Sequence, residues 1–177
     1  MRSLPLLIAL FAALFIARAA VAAEPAESNR TSGGKTRPAA KYTTELLEGR
    51  VVWLADALER RFGVKSVPEA QQRTLALESP DGALHPIVED IRGRAFRVDK
   101  RLRSLDVQLV VRRYKGSPAV QVIRVYAVKK DGKYEIDYWC DICAIAMFEL
   151  KACDCCQGPI ELRFRKSDPA AALPESK

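Results

Sequence analysis

Cys140-Asp141-Ile142-Cys143 is one C-x-x-C, and Cys153-Asp154-Cys155-Cys156 holds a second, with Cys155 as an extra thiol. Nine residues lie between the pairs. A C-x-x-C turn aims two sulfurs at one centre. Two such turns brought together by a hairpin give a tetrahedral site of four cysteines, for which zinc is the usual ion. On this spacing Cys140, Cys143, Cys153 and Cys156 are the expected ligands, and Cys155 can replace Cys153 or Cys156. Thiolates also favour Cu(I), so copper or zinc handling is a second reading of the same residues. In an oxidising compartment clustered cysteines pair instead as disulfides. Five is an odd number, so at least one thiol would then stay free, pair between chains or bind a metal. The spacing does not say which cysteines would pair. A thiol-redox site would call for a C-x-x-C at a helix N-terminus, where a thiol pKa falls. Neither pair here leads into a helical pattern.

Chemistry outside the cluster is thin. His85 is the only histidine, and it precedes Pro86 in an expected strand, a setting that suits a structural or simply exposed ring. Asp99, Glu78 and Asp137 lack the spacing that would mark an acid/base pair. The chain has no P-loop and no dinucleotide fingerprint. Trp53 and Trp139 read as packing residues. These absences point to a binding or structural module and away from an enzyme.

The elements that must position the cysteines read mainly as β. Residues 106–114 place Val107, Leu109 and Val111 on one face, and Gly116-Ser117-Pro118 then turns the chain. Residues 119–128 form a second β-branched run, and Asp131-Gly132 supplies a hairpin turn. Residues 133–140 alternate again, with Tyr134, Ile136, Tyr138 and Cys140 on one side. Upstream, residues 73–78 and 83–88 flank Ser79-Pro80-Asp81-Gly82, a turn in which Pro presets one dihedral and Gly accepts positive φ. Over 92–104, Ala95, Phe96, Asp99 and Leu102 recur at helical spacing and predict one short helix. Residues 45–54 read as a strand, followed by a helical or looped piece to Gly63. After the first cysteine pair, 144–150 is apolar enough for a strand. Beyond Gly158-Pro159, the alternation of Ile160, Leu162 and Phe164 predicts another.

Several of these residues carry a likeness to a known architecture. Glu48-Gly49-Arg50-Val51-Val52, Leu75-Ala76-Leu77-Glu78 with Asp81-Gly82, the 94–102 helix and the 107–126 hairpin together resemble the OB-fold, a small five-stranded Greek-key barrel. The cysteine segment is similar to a zinc ribbon. The expected fold is therefore an OB-like antiparallel barrel with one short helix, extended by a Cys-rich β-hairpin. An open α+β sandwich is the alternative. The OB likeness implies binding of an oligonucleotide, an oligosaccharide or a protein across one sheet face. Arg112, Arg113, Tyr114, Arg124 and Tyr126 are the candidates for interleaved basic and aromatic contacts. The whole chain also resembles uncharacterised secreted proteins of planctomycete-type bacteria, which implies an exported, non-catalytic role.

Residues 1–23 have the order of a signal peptide. Arg2 precedes an apolar run that is too short for the roughly 20 residues of a spanning helix, and small residues follow up to Ala23. Periplasmic or secreted location is the expectation, with no membrane span after cleavage. Residues 24–43 read as a disordered linker. The main domain is expected over 44–139, the cysteine hairpin over 140–166 and a polar tail over 167–177. Asn29-Arg30-Thr31 matches a glycosylation acceptor. The formal charge of +7 falls to +5 once Arg2 and Arg18 leave with the signal. That modest surplus suits a solvated surface, and it leaves an anionic polymer or another exported protein as the expected partners.

Overall fold

Strand β1, Tyr42–Trp53, is the longest element of the fold, and it changes partner part-way along. Residues 42–49 pair with β4, Val107–Tyr114, and residues 50–53 pair with β2, Leu75–Glu78. The switch falls at Gly49, whose φ is +152°. A Cβ there would lie 2.1 Å from the backbone oxygen of Glu78. Only glycine lets β2 cross so closely at the bend. The structure, a computed structural model, describes residues 40–167. The signal segment 1–23, the acceptor at Asn29 and nearly all of the linker and tail expectations lie outside the described residues.

The chain leaves β1 directly into helix α1, Leu54–Phe62, which ends at Gly63 in the left-handed conformation. The change from strand to helix falls between Trp53 and Leu54, close to the expected end of the strand at residue 54. Strand β2 returns through the Ser79–Gly82 turn as β3, Leu84–Pro86. The next helical stretch is two pieces, α2 at Ile91–Val98 and α3 at Lys100–Arg103. The single helix expected over 92–104 breaks at Asp99 because its carboxylate caps the second piece, accepting from the Arg101 amide at 3.0 Å. The helical spacing still has the expected result: Ala95, Phe96, Asp99 and Leu102 are all buried.

Strand β5, Val120–Lys129, follows β4 as an antiparallel neighbour. The order across the sheet is β3-β2-β1-β4-β5-β6-β7, where β6 is Gly132–Cys140 and β7 is Ile145–Met147, with β8, Glu161–Lys166, paired to β6. Leu75, Leu77, Phe96, Leu109, Val111, Val120 and Tyr138 fill the core on its inner face. The molecule is mainly β and antiparallel, as expected, yet the sheet does not close into a barrel. The segment just after β3 meets the start of β5 through an isolated parallel bridge between Ile87 and Val120, with the Val88 amide donating to Val120 O at 2.9 Å. With three residues, β3 is too short to carry a closing ladder.

Strand β6, Gly132–Cys140, supports everything that follows it. Its first residues pair with β5. Its last three pair with β7, Ile145–Met147. Strand β8, Glu161–Lys166, runs along residues 134–139. A strand has two edges, so β5 and β7 share one edge of β6 in succession and β8 occupies the other. The cysteine segment is thus woven onto the main sheet.

Candidate metal centre

Cys140 is the last residue of β6, and the chain reverses immediately after it. Ala144 takes a left-handed φ of 53°, and its amide donates to Cys140 O at 2.8 Å. The second pair repeats this geometry. Gln157 takes a φ of 58°, and its amide donates to Cys153 O at 2.9 Å. The Cys153 amide in turn donates to Gly158 O at 2.9 Å and closes the base of the loop. Each turn therefore spans five residues, with a cysteine at the first and fourth positions and a left-handed residue at the fifth.

The turns also treat their leading sulfurs alike. The amides of Ile142 and Cys143 point at the Cys140 sulfur, and those of Cys155 and Cys156 point at the Cys153 sulfur. Such donors favour the thiolate. At Cys153 the Cys156 and Cys155 amides outweigh burial and bring the thiol down to about 7. At Cys140 the amide of Cys143 acts in the same direction, but burial and the adjoining Cys153 and Cys156 thiols hold the group above the ordinary thiol range. Contacts with Cys155 and Cys156, with burial, push Cys143 well up.

The sulfurs of Cys140, Cys143, Cys153 and Cys156 all lie within 4.8 Å of one another. Those of Cys140 and Cys156 are 3.5 Å apart. A regular tetrahedron with Zn–S bonds of about 2.3 Å has edges of about 3.8 Å. The four residues can therefore hold a metal ion with small adjustments. Cys140 and Cys153 are fully buried, while Cys143 and Cys156 are half-buried and pack against the same core. Cys155 is exposed and stands outside the foursome, so the first-choice ligand set is the one brought together. Gly158 seals one side: a Cβ there would lie 3.3 Å from both the Cys156 sulfur and Cδ1 of Ile142.

Ionic contacts fasten the surrounding loop to the sheet and helices. Buried Glu149 accepts from Arg94 of α2 at 2.7 Å. The Arg92 guanidinium lies 3.5 Å from the ring centre of Phe148. Asp137 of β6 is buried beneath β8, held by Arg163 at 2.8 Å and Arg165 at 2.9 Å. Arg163 also covers the Trp139 ring. Trp53 is flanked by Arg97 and Arg103.

The five residues singled out for ligand contact do not form one surface. Register puts Arg112, Tyr114, Arg124 and Tyr126 on one face of the sheet and Arg113 on the opposite face. Tyr126 is buried, and Arg124 is hydrogen-bonded to it. Arg113 pairs with Glu45 at 3.0 Å and touches Nδ1 of His85 at 3.3 Å. Tyr114 donates to Gln121 at 2.8 Å and meets Tyr42 edge to face. Composition alone places Lys41 and Tyr42 in the linker, so their position beside Tyr114 is not visible from the sequence.

No protein family matches the chain, and no curated protein or solved structure is significantly similar to it.

Proposed function

We propose that Cys140, Cys143, Cys153 and Cys156 form a structural zinc centre in an exported, non-enzymatic binding or structural module. The observation that carries this reading is the convergence of four sulfurs from two equivalent turns. Two disulfides would need only two separate close pairs. A four-way meeting, with amides aimed at the leading sulfur of each turn, is what a tetrathiolate ion requires. Four protein ligands leave no open position for substrate, so the ion stabilises the fold and does not catalyse.

The ion's role follows from the elements it joins. One turn closes the β6–β7 hairpin, and the other delivers the chain into β8. Zinc bound to both fixes the ends of three strands at once. The order β3-β2-β1-β4-β5, with its single bridge, supports an OB-type scaffold of the partly open kind for the region before Cys140. The export reading rests on the order of residues 1–23 and predicts a processed N-terminus near residue 24.

Elemental analysis of the folded protein, paired with thiol counting on the same sample, tests the centre. One zinc per chain, with four thiols shielded until a chelator is added, is the expected result. Two disulfides without metal would overturn it. Copper that transfers readily to a competing thiol would instead make the protein a metal carrier.

A further inference from the structure

Away from the cysteines, a cavity of about 400 Å³ opens where β1 begins and β4 ends. Its lining comprises Lys41, Tyr42, Arg113, Tyr114 and Lys115, with Thr43 and the Gly116-Ser117 turn. That volume falls in the range of small-ligand sites, about 300–1,000 Å³. We infer that this cavity binds an acidic sugar unit of an anionic polysaccharide, a function separate from the metal centre.

Charge gives the first argument. The lining holds two lysines and an arginine and no carboxylate. Arg113 is engaged by Glu45. Lys41 and Lys115 have no ion pair among the described residues. The Lys115 amide donates to Lys41 O at 3.1 Å, so the two side chains start from adjacent points across the strand pair. Two ammonium groups rooted side by side, unpaired among the described residues, fit a carboxylate or sulfate.

Ring geometry decides between classes of polyanion. Single-stranded nucleic acid needs successive ring faces on which consecutive bases stack. Tyr42 and Tyr114 meet at 65° with centroids 5.6 Å apart, so their faces do not form a track. The Arg112 guanidinium lies over Tyr42, 4.7 Å from its ring centre, and Tyr126 is buried. Tyr42 and Tyr114 line the cavity together with Lys41 and Lys115, a ring pair that can meet one pyranose whose acidic group reaches the ammonium groups.

The test measures binding of the full chain to polygalacturonate and dextran sulfate, with neutral dextran and an oligo-dT strand as comparisons. Polygalacturonate and dextran sulfate separate a carboxylate ligand from a sulfate ligand. One double variant, Lys41→Ala with Lys115→Ala, removes the cavity's two lysines. A second, Lys65→Ala with Lys130→Ala, removes the same charge from exposed positions elsewhere. Far-UV circular dichroism reports folding in both. The first variant should weaken binding to the preferred acidic polysaccharide at least tenfold and reduce the salt slope by about two. The second should change binding less than about threefold, and Tyr42→Ala should weaken it as the first does. Tighter binding of oligo-dT, equal losses in the two double variants, or no binding of either acidic polysaccharide would overturn the inference.

Discussion

At the scale of single residues, the site depends on atoms that composition does not rank. Cys155 and Cys156 are adjacent and chemically identical, yet one is exposed and the other faces three sulfurs. Cys155→Ser should leave zinc stoichiometry unchanged, whereas Cys156→Ser should remove the ion or weaken its binding by orders of magnitude; a competition titration with a chromogenic chelator checks both. The four converging cysteines are legible in the sequence because C-x-x-C spacing encodes a local turn. The left-handed residues that close each turn are not, since neither Ala144 nor Gln157 is a glycine or asparagine. Gly49 is the second decisive residue. Its positive φ and the Glu78 oxygen 2.1 Å from a would-be Cβ mean that Gly49→Ala should cost about 1–3 kcal/mol or more, measured by urea unfolding.

At the scale of elements, β6 and the α2–α3 break determine how the cysteine turns are held. Alternation shows β4, β5 and β6, because each has an apolar face over a shared core. Pairing is less legible. Nothing in the local pattern of β8 says that it joins the free edge of β6, since the register comes from Asp137 meeting Arg163 and Arg165 across a long sequence gap. The helix break is hidden for a similar reason. Asp99 sits at a helical core position, but its carboxylate is used by Arg101 and by the Tyr138 hydroxyl, 2.9 Å away. Burial would raise the Asp99 pKa, but hydrogen bonds from the Arg101 side chain and amide and from Tyr138 prevail and lower it. A carboxyl lowered in the folded state adds stability above its unfolded value of about 3.9, and that stability is lost as pH falls through the folded value. Urea midpoints of the protein and of Asp99→Asn should therefore differ by a constant amount at neutral pH and draw together as pH falls below the unfolded value of about 3.9. A constant gap down to about pH 2 would remove Asp99 from this role.

At the scale of the whole molecule, two anchorages meet on one sheet. The first is the apolar core shared by β1–β6 and the helices; the second is the sulfur cluster, which packs against that core at the far end of β6. The β2–β3 and β4–β5 hairpins are legible from turn residues such as Asp81-Gly82 and Gly116-Ser117-Pro118, whereas the place of β1 between β2 and β4 is not. Nor is closure, because it depends on the length of β3 and on a single bridge. Removing the ion should accordingly have a local effect. Hydrogen exchange should rise about tenfold or more for amides of residues 142–157 while those of β1 and β4 keep their protection. Uniform loss of protection would mean that the centre is needed for the whole fold.

Native mass spectrometry of the intact protein, recovered from an oxidising compartment, tests the central claim most directly. The expected species is a folded chain heavier by one zinc ion, which acid removes to leave five free thiols. A chain lighter by four hydrogens and free of metal would show two disulfides, and the tetrathiolate centre would be wrong.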